Sequence, residues 1–236
     1  MKKLNLTDKL YLIEPQELLV IANDIKDGDV IFDVGAHYGE WSSIALNNYK
    51  SLTVHFFEAV PQTFKILLKK MGNYKENIIF NNFAISNIIG DRPFYFYEER
   101  PGLSGYHRRS EETENNIIHT TPKILKSIPT ETLDNYCRFR KIDKINILKI
   151  DTEGADFDVV KGAKRLIEEG KIDAIEFEYG GCWQENGTKL EDIYNFLTER
   201  NYEVFKTSKE GFISLPKFTK EMEDYGYSMF LARRIR

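Results

Sequence analysis

The sequence is poor in cysteine and has no excess of basic residues. Its two cysteines, Cys137 and Cys182, lie far apart and outside any CxxC or Cys/His cluster, which indicates neither a disulfide framework nor a structural zinc site. With 33 basic and 37 acidic residues, the formal charge is −4. Proteins that bind nucleic-acid phosphates usually carry an excess of basic residues, which this chain lacks. We therefore expect a small-molecule or weakly charged polymeric partner and no nucleic acid.

Long apolar runs are also missing. Nowhere do about 18 apolar residues follow one another, so we expect no transmembrane helix. The first residues include Lys2 and Lys3, but Asp8 and Glu14 interrupt the residues after them and leave no apolar core for a signal peptide. We therefore expect a cytoplasmic protein. Its oligomeric state does not follow from the sequence.

The composition indicates one globular domain. The 236 residues are 42% hydrophobic and 30% charged, a balance typical of a folded protein with a substantial core. No linker, repeat or low-complexity tract divides the chain. We expect a helical segment at residues 1–29 that packs on a domain formed by residues 30–236.

Short apolar runs alternate with segments of helical spacing along most of the chain. Strands are predicted at residues 30–34, 53–57, 78–85, 145–151, 174–179, 202–207 and 228–233, and helices at residues 15–24, 41–49, 61–71, 155–168 and 190–200. This alternation is typical of an α/β fold with a parallel sheet and helices on both faces. At residues 92–97 the pattern changes, and we expect an antiparallel segment there that departs from the parallel alternation. Residues 98–121 lack periodicity, so we expect a functional or mobile loop there.

A glycine turn follows the first strand. Asp33 precedes Gly35 and Gly39, and glycine at such positions lets the backbone come close to a ligand. Glu58 ends the second strand 23 positions after Gly35, where a carboxylate can accept hydrogen bonds from both ribose hydroxyls of an adenosine. Together these four residues predict a binding site for an adenosine cofactor.

The charge of Asp33 favours one adenosine cofactor over another. The third glycine of the dinucleotide fingerprint GxGxxG is missing. Asp33 would attract an ammonium or sulfonium group and repel the two phosphates of NAD. We therefore predict S-adenosyl-L-methionine as the cofactor. The alternative for Asp33 is a capping role in a helix or turn.

The end of the third strand is expected to border the adenine of this cofactor. Phe83 is placed near the base, and a backbone N–H near Ala84 is placed to meet a ring nitrogen. The alternative for Phe83 is a place in the core.

Charged and apolar residues alternate in the fourth strand. Lys149, Asp151 and Glu153 share one face of the sheet, where charges are costly unless they are paired or used. Asp151 and Glu153 lie at the carboxyl end, where a carboxylate can accept the proton of an attacking hydroxyl. One of the two could instead cap the next helix. Glu178 lies at the same edge; such carboxylates could hold a divalent cation, but without histidine ligands we assign no metal.

Four short segments match the motifs of a known family. They read VIFDVGAHYG (residues 30–39), FEAVP (57–61), TLDNY (132–136) and LKIDTEGA (148–155). These segments resemble the FkbM family of S-adenosylmethionine-dependent methyltransferases, and the resemblance extends from about residue 30 to the end of the chain. The LKIDTEG element is the most specific of them.

This resemblance implies a Rossmann-like class I methyltransferase fold with a seven-stranded, mostly parallel sheet. It also implies methyl transfer to a hydroxyl oxygen, often on a sugar of a glycan or on a natural product. Carried over residue by residue, it assigns the cofactor turn, the ribose ligand and an acidic motif that borders both cofactor and acceptor to Asp33, Gly35, Gly39, Glu58, Asp151 and Glu153.

The loop at residues 101–109 is the expected cover of the acceptor. Tyr106 can stack on a sugar ring, Arg108 can donate to hydroxyls or phosphate, and His107 is a candidate base. After the fifth strand, Trp183 could stack on the same acceptor and Glu178 could bind it. The alternatives are a solvated loop and, for Trp183, ordinary packing.

We therefore predict an enzyme that transfers a methyl group from S-adenosyl-L-methionine to the hydroxyl of a sugar in a glycan or glycoconjugate. Its catalytic residues are expected among Asp151, Glu153 and His107. The alternatives are a methyltransferase for a small-molecule natural product and a non-catalytic module that binds the cofactor or a glycan. A silent module would need neither Asp151 nor Glu153.

Overall fold

The computed structural model describes Ile13 and residues 15–235. Residues 1–12 and 14 of the expected N-terminal segment, and residue 236, lie outside the described residues. Within the described part of the chain, no helix combines the length and apolar character that crossing a membrane requires.

Strands and helices alternate through most of the chain. The strands are β1 (Val30–Val34), β2 (Thr53–Phe57), β3 (Asn77–Asn81), β4 (Ala84–Ile85), β5 (Gly90–Phe96), β6 (Lys123–Glu131), β7 (Ile145–Ile150), β8 (Ile172–Tyr179), β9 (Tyr202–Ser208), β10 (Gly211–Ser214) and β11 (Ser228–Arg234). The helices are α1 (Glu17–Asp24), α2 (Glu40–Asn48), α3 (Pro61–Met71), α4 (Glu111–Thr113), α5 (Leu133–Arg140), α6 (Asp156–Gly162), α7 (Lys164–Glu168), α8 (Gly181–Glu185) and α9 (Leu190–Thr198).

The central sheet has the strand order β10-β9-β11-β8-β7-β1-β2-β3. The strands β3, β2, β1, β7 and β8 are parallel neighbours, whereas β11 runs antiparallel to both β8 and β9. This is the predicted α/β, Rossmann-like fold with a mostly parallel sheet. The sheet has eight strands rather than seven, because β10 extends its edge as an antiparallel hairpin with β9.

Two apolar clusters cover the two faces of this sheet. Along β1, Phe32 and Val34 belong to one cluster and Ile31 to the other, as the two-residue repeat of a strand requires. Helices α1, α2 and α3 pack on the face of Ile31, and α5, α6, α7 and α9 pack on the opposite face. Because both faces are covered, a charged side chain within the sheet needs a partner inside the protein.

Helix α1 begins at Glu17, slightly later than the predicted start at Pro15. Val20 and Ile21 are fully buried in the second cluster. Asp24, the last residue of the helix, accepts two hydrogen bonds of 2.7 and 2.8 Å from the guanidinium group of Arg233 in β11. The first helix is therefore tied to the last strand.

The third predicted strand, at residues 78–85, is divided between two sheets. β3 belongs to the central sheet, whereas β4 pairs with β6 in a second sheet of order β4-β6-β5. The side-chain amide of Asn82 donates to the backbone oxygens of Glu58 and Ala59, at 2.8 and 3.3 Å. These bonds turn the chain between the two strands.

The helix predicted at residues 155–168 is also divided. α6 and α7 meet at Ala163, whose φ of −106° and ψ of 13° leave helical geometry. The stretch at residues 98–121 is more ordered than expected, because it contains α4, a 3₁₀ turn at Pro101–Leu103 and a π turn at Glu114–Ile118. The strands β6 and β10 and the helices α5 and α8 were not predicted.

Candidate active site

A cavity of about 390 Å³ opens at the carboxyl ends of the central strands. It lies where strand order reverses, because β1 has β2 on one side and β7 on the other. Open α/β sheets bind ligands at such switch points, and small-molecule sites have volumes of about 300–1,000 Å³. Its wall includes Gly35, Ala36, Glu58, Ala84, Tyr106, Lys149, Asp151, Glu153 and Glu178.

The two predicted glycines have different positions. Gly35 lines the cavity with a φ of +77°, and a Cβ there would lie 1.8 Å from the carbonyl oxygen of Asp151, so the turn tolerates only glycine. Gly39, with a φ of +81°, packs against Leu67 and Met71 of α3, where a Cβ would lie 2.9 and 2.8 Å from their side chains. Gly39 thus permits close packing of helices behind the cavity and does not line it.

Glu58 presents a buried carboxylate to the cavity. Its Oε2 accepts a hydrogen bond from the backbone N–H of His37 (2.9 Å) and its Oε1 accepts one from Val60 (2.8 Å). Burial raises the pKa of Glu58 to about 7, although these two hydrogen bonds favour the charged form. The carboxylate is fixed at the end of β2, as the cofactor interpretation requires.

Of the two residues predicted beside the adenine, only Ala84 lines the cavity. The Phe83 ring packs on Phe57 and Tyr136, with ring centroids 5.8 and 6.0 Å apart. Phe83 therefore belongs to the core, which was the alternative for this residue. The hydrophobic cluster on that face of the sheet holds its ring away from the cavity.

Asp33 does not reach the cavity, contrary to the expectation of a direct contact with a cationic group. It is 1% exposed, and it accepts a hydrogen bond of 2.6 Å from the Ser42 hydroxyl. Its other oxygen lies 3.7 Å from Nζ of Lys149, which pairs with it in register between β1 and β7. The cation that balances Asp33 is therefore Lys149.

Lys149 lies at the centre of a charged row across three strands. It is in register with Asp33 on β1 and with Glu176 on β8, and its Nζ donates to Asp151 at 3.1 Å. Burial acts against its charge, but Asp151 and Asp33 raise the pKa of Lys149 well above its usual value. The lysine lines the cavity as a cation enclosed by carboxylates.

The chain turns directly after β7, at the acidic residues Asp151 and Glu153, which line the cavity. Glu153 has a φ of +56°, a left-handed conformation that is rare for a residue with a side chain and that clusters at functional sites. Burial raises the pKa of Glu153 to about 8, against the opposing effect of Arg109. Asp151 and Glu153 both line the cavity, so neither capping alternative is needed to explain their positions.

Glu178 joins this acidic edge from β8. Burial raises its pKa well above the usual value, and the neighbouring charges of Asp151, Glu153 and Asp156 act in the same direction. Among the described residues, Glu153, Glu178 and Cys182 form a group that could hold a metal ion. Each offers one ligand atom, and these three atoms lie within 4.8 Å of one another. Because Arg109 already supplies a positive charge to Glu153, we assign no metal here.

The arginine that reaches this site is Arg109, not the predicted Arg108. The Arg109 side chain is 7% exposed and forms an ion pair with Glu153, and its Nη1 lies 3.4 Å from Oε2 of Glu185. The Arg108 side chain is 51% exposed and pairs with Glu114 at 2.7 Å, away from the cavity. The two adjacent arginines look alike in the sequence, which does not reveal which side chain turns inward.

Of the other residues predicted to contact the acceptor, some line the cavity and others do not. Tyr106 lines the cavity and is 8% exposed. His107 is exposed and does not line the cavity, so its position gives no support to a role as base. Trp183 is fully buried and packs on Phe177 and Tyr179, which makes it a core residue rather than a stacking platform.

Some wall residues were not predicted, and the acidic one on the first helix is an example. Glu17 of α1 lines the cavity and is 8% exposed. The helical pattern around it gave no signal for this role, because the charged residues near it, Lys149 and Glu176, come from strands more than a hundred positions further along the chain.

The fold is that of Rossmann-like methyltransferases. Precorrin-6y C5,15-methyltransferase from Geobacter metallireducens GS-15 matches 98% of this chain and 94% of its own, with 13% sequence identity and a TM-score of 0.51. A rRNA methylase from Streptococcus thermophilus matches 95% of this chain and 99% of its own, with 10% identity and a TM-score of 0.50. These likenesses define the fold class.

The chain belongs to the FkbM methyltransferase family, because residues 33–204 match the Methyltransferase FkbM domain. It is 28% identical over 177 residues to 31-O-demethyl-FK506 methyltransferase FkbM from Streptomyces tacrolimicus, a match that covers 67% of this chain and 65% of that protein. It is 25% identical over 187 residues to hexuronic acid methyltransferase AglP from Haloferax volcanii, which covers 79% of this chain and 71% of that protein. The chain thus spans about two thirds of the length of these relatives.

The chain is therefore an S-adenosyl-L-methionine-dependent methyltransferase domain, as its motifs predicted. The cavity suits this cofactor. Gly35 allows close approach of a ligand to the backbone, Glu58 offers a fixed carboxylate, and the acidic edge formed by Asp151 and Glu153 favours a positive charge.

Proposed function

We propose that this domain transfers a methyl group to a hydroxyl oxygen of a sugar in a glycan or glycoconjugate. The observation that supports it most directly is the pair of carboxylates, Asp151 and Glu153, on the cavity wall at the carboxyl end of β7. The FkbM relatives support oxygen as the acceptor atom, since one of them is named for a 31-O-demethyl substrate. The hexuronic acid methyltransferase supports a sugar.

The proposed roles follow from the positions of the residues. Glu58 would bind the ribose, Gly35 and Ala84 would contact the cofactor through the backbone, and Tyr106 and Glu178 would bind the acceptor. When bound, the cofactor supplies an electrophilic methyl group on a sulfonium. The Glu153 carboxylate would take the proton of the acceptor hydroxyl as the new oxygen–carbon bond forms, and Asp151, held by Lys149, would keep the negative charge beside it.

The pKa of Glu153 suits this task. A general base works best when its pKa lies near the operating pH, and burial raises that of Glu153 to about 8. Arg109 fixes its orientation. We place the protein in the cytoplasm and without nucleic-acid partners on composition alone.

A second candidate is a hydroxyl of a small natural product. The apolar part of the cavity wall, with Phe94, Pro101 and Val60, would suit a less polar acceptor, and the 31-O-demethyl-FK506 methyltransferase is named for such a substrate. Both candidates share the carboxylates and differ only in the acceptor.

The test is methylation of defined acceptors. The protein is incubated with S-adenosyl-L-methionine and either simple methyl glycosides or macrolide alcohols, and S-adenosylhomocysteine formation and the methylated product are followed by mass spectrometry. We expect O-methylated glycosides, and the Asp151→Asn variant should bind S-adenosylhomocysteine but lose most turnover. Methylation of macrolide alcohols alone would contradict a sugar acceptor and support the second candidate, a natural product. Turnover on neither class would contradict both candidates.

A further inference from the structure

The aromatic side chains of the described cavity wall differ in how much of their rings they expose. Five phenylalanine, tyrosine or tryptophan residues line this wall: Trp41, Phe57, Phe94, Tyr106 and Tyr227. The first four are between 1% and 8% exposed, so they present little ring surface to a ligand. Tyr227 is 50% exposed. It is therefore the aromatic ring of the described wall that a ligand in the cavity can cover.

Tyr227 lies at the same edge of the sheet as the acidic residues Asp151 and Glu153. β11 runs antiparallel to β8, and its first residue, Ser228, pairs with Tyr179, the last residue of β8. The chain just before β11 is therefore beside the carboxyl end of β8. A Cβ placed on Gly180, the residue after β8, would lie 3.8 Å from the Cα of Tyr227.

The strand order separates Tyr227 from the proposed ribose ligand, Glu58. On one side of β7 lie β8 and then β11, and on the other side lie β1 and then β2, which Glu58 follows. Neighbouring strands are about 4.8 Å apart, so β11 is roughly 10 Å from β7 and roughly 19 Å from β2. A ribose held at Glu58 would leave the side of β8 and β11 to the acceptor. The space between Tyr227 and the end of β7 suits one sugar ring.

The segment before Tyr227 is fixed by contacts with β8 and α9. The Tyr225 ring stacks on that of Tyr179, with centroids 5.7 Å apart, and the backbone N–H of Tyr225 donates to the Tyr179 hydroxyl at 2.9 Å. This hydroxyl donates to Glu223 at 2.9 Å, and Glu223 accepts two hydrogen bonds from backbone N–H groups at the start of α9. Binding against Tyr227 would therefore require little ordering of the chain.

We propose that Tyr227 is the stacking platform of the acceptor, with its ring against the C–H face of a pyranose. The inference rests on the proposed sugar O-methylation. An aromatic ring offers a large apolar face with few rotatable bonds, and a pyranose packed on it keeps the hydroxyls at its rim accessible to Asp151 and Glu153. Trp183, which was expected to stack on the acceptor, lies in the core. Tyr227 lies beyond residue 204, so a residue outside the family match would select the acceptor ring.

The first experiment measures the KM for the acceptor. Methyl glycosides of the gluco, galacto and manno series are offered with S-adenosyl-L-methionine. In each series that the parental protein methylates, Tyr227→Ala and Tyr227→Leu should raise the KM about tenfold or more and leave the Kd of S-adenosylhomocysteine unchanged. Leucine keeps apolar bulk without a flat face. Tyr227→Phe keeps the ring, and its KM should stay within about threefold of the parental value.

Phe139→Ala is the matched control for Tyr227→Ala. Phe139 is also an exposed aromatic residue, but it lies on α5 and does not line the cavity. Its variant should keep the parental KM. A parental KM in Tyr227→Ala or in Tyr227→Leu would overturn the inference. A rise in Tyr227→Phe as large as that in Tyr227→Ala would also overturn it, because the hydroxyl and not the ring face would then make the contact.

Binding gives a readout that does not depend on turnover. Saturation-transfer NMR is recorded with the same glycosides and the protein saturated with S-adenosylhomocysteine. The C–H protons of one sugar face should receive magnetisation in the parental protein and in Tyr227→Phe, and lose most of it in Tyr227→Ala. If glycosides are methylated but Tyr227→Ala binds them as the parental protein does, only the inference fails. If no glycoside is methylated although S-adenosylhomocysteine binds, sugar O-methylation itself fails, and the inference with it.

Discussion

The guanidinium group of Arg109 is paired with the carboxylate of Glu153. Through this contact the loop after β5 is joined to the acidic motif after β7, since the Nε of Arg109 also donates to the backbone oxygen of Leu103 at 3.2 Å. The ion pair is largely shielded from water, with the Arg109 side chain 7% and the Glu153 side chain 16% exposed. The loop and the proposed base therefore hold one another in place.

Replacement of Arg109 should change the pH dependence of turnover. Arg109 favours the ionised form of Glu153, so Arg109→Gln should raise the pKa of that carboxyl and move the acidic limb of the pH–rate profile to higher pH. At neutral pH we expect kcat to fall by about tenfold or more. Arg109→Lys keeps the charge and should restore part of the profile.

Arg108→Gln is the matched control for Arg109→Gln. Arg108 is the neighbouring residue, but its side chain is half exposed and pairs with Glu114 outside the cavity. Its variant should keep the parental pH profile. A shift of equal size in both variants, or no shift in Arg109→Gln with intact binding of S-adenosylhomocysteine, would remove the positioning role of Arg109.

Substitution of Glu58 should weaken cofactor binding. A hydrogen bond to a charged group contributes about 1.5–3 kcal/mol, so Glu58→Gln should raise the Kd of S-adenosylhomocysteine by roughly 10- to 100-fold. The amide oxygen can still accept from one of the two backbone N–H groups of His37 and Val60, which limits damage to the turn. Glu98→Gln, which alters an exposed pair with Lys123, is the control. An unchanged Kd in Glu58→Gln would contradict the ribose role.

The cofactor-free protein should lose stability as the pH rises above neutrality. Burial raises the pKa of Glu58 and Asp156 to about 7 and that of Glu153 to about 8. The folded state then binds these protons more tightly than the unfolded chain, so the free energy of unfolding falls as pH rises through these values. Between about pH 6.5 and 8.5 we expect a fall of roughly 1–2 kcal/mol per pH unit.

Urea unfolding at several pH values measures this slope. His55 works in the opposite direction, because burial lowers its pKa to about 4, but its contribution is confined to pH values below its usual pKa of 6.5. Asp156→Asn removes one of the three groups and should flatten the slope. A free energy of unfolding that is constant or rises over this range would contradict the assignment of buried, protonated carboxyls.

The close contact at Gly35 should make its substitution far more harmful than that of another glycine with the same backbone conformation. Gly28 also has a positive φ, +87°, but a Cβ there meets nothing within 4 Å. Gly28→Ala should cost about 1–2 kcal/mol from the left-handed conformation alone. Gly35→Ala adds a clash at 1.8 Å with the carbonyl oxygen of Asp151 and should abolish cofactor binding. Similar losses of stability and binding in both variants would contradict this difference.

The sequence predicts those strands and helices whose local pattern of apolar residues matches the burial of these residues in the structure. The bounds of β1, β2 and α3 are as predicted, because each is a short apolar run or an amphipathic repeat with a clear start and end. β6 was missed since it forms the middle of a small sheet and mixes exposed and buried residues. α5 carried a signal that was overlooked, the Thr132 hydroxyl that accepts from the N–H of Asn135.

The candidate site was predictable by position along the strands but not by side-chain direction. Glu58, Asp151, Glu153 and Glu178 line the cavity because the carboxyl ends of parallel strands meet at one edge. The partner of Asp33 depends on the register between β1 and β7, which no local pattern specifies. The side-chain direction of Trp183 was not predictable either: it follows β8 and turns back to pack on Phe177 and Tyr179 instead of facing the cavity.

The family match begins at residue 33 and ends at residue 204, yet the molecule does not end there. Glu17 on α1 and Tyr227 just before β11 both line the cavity, and Asp24 and Arg233 join those two flanking elements to each other. Two elements that lie outside the family match are thus joined to each other, and each is adjacent to or contains a residue of the cavity wall. A fragment cut to the limits of the family match would lose this connection and two lining residues of its own binding site.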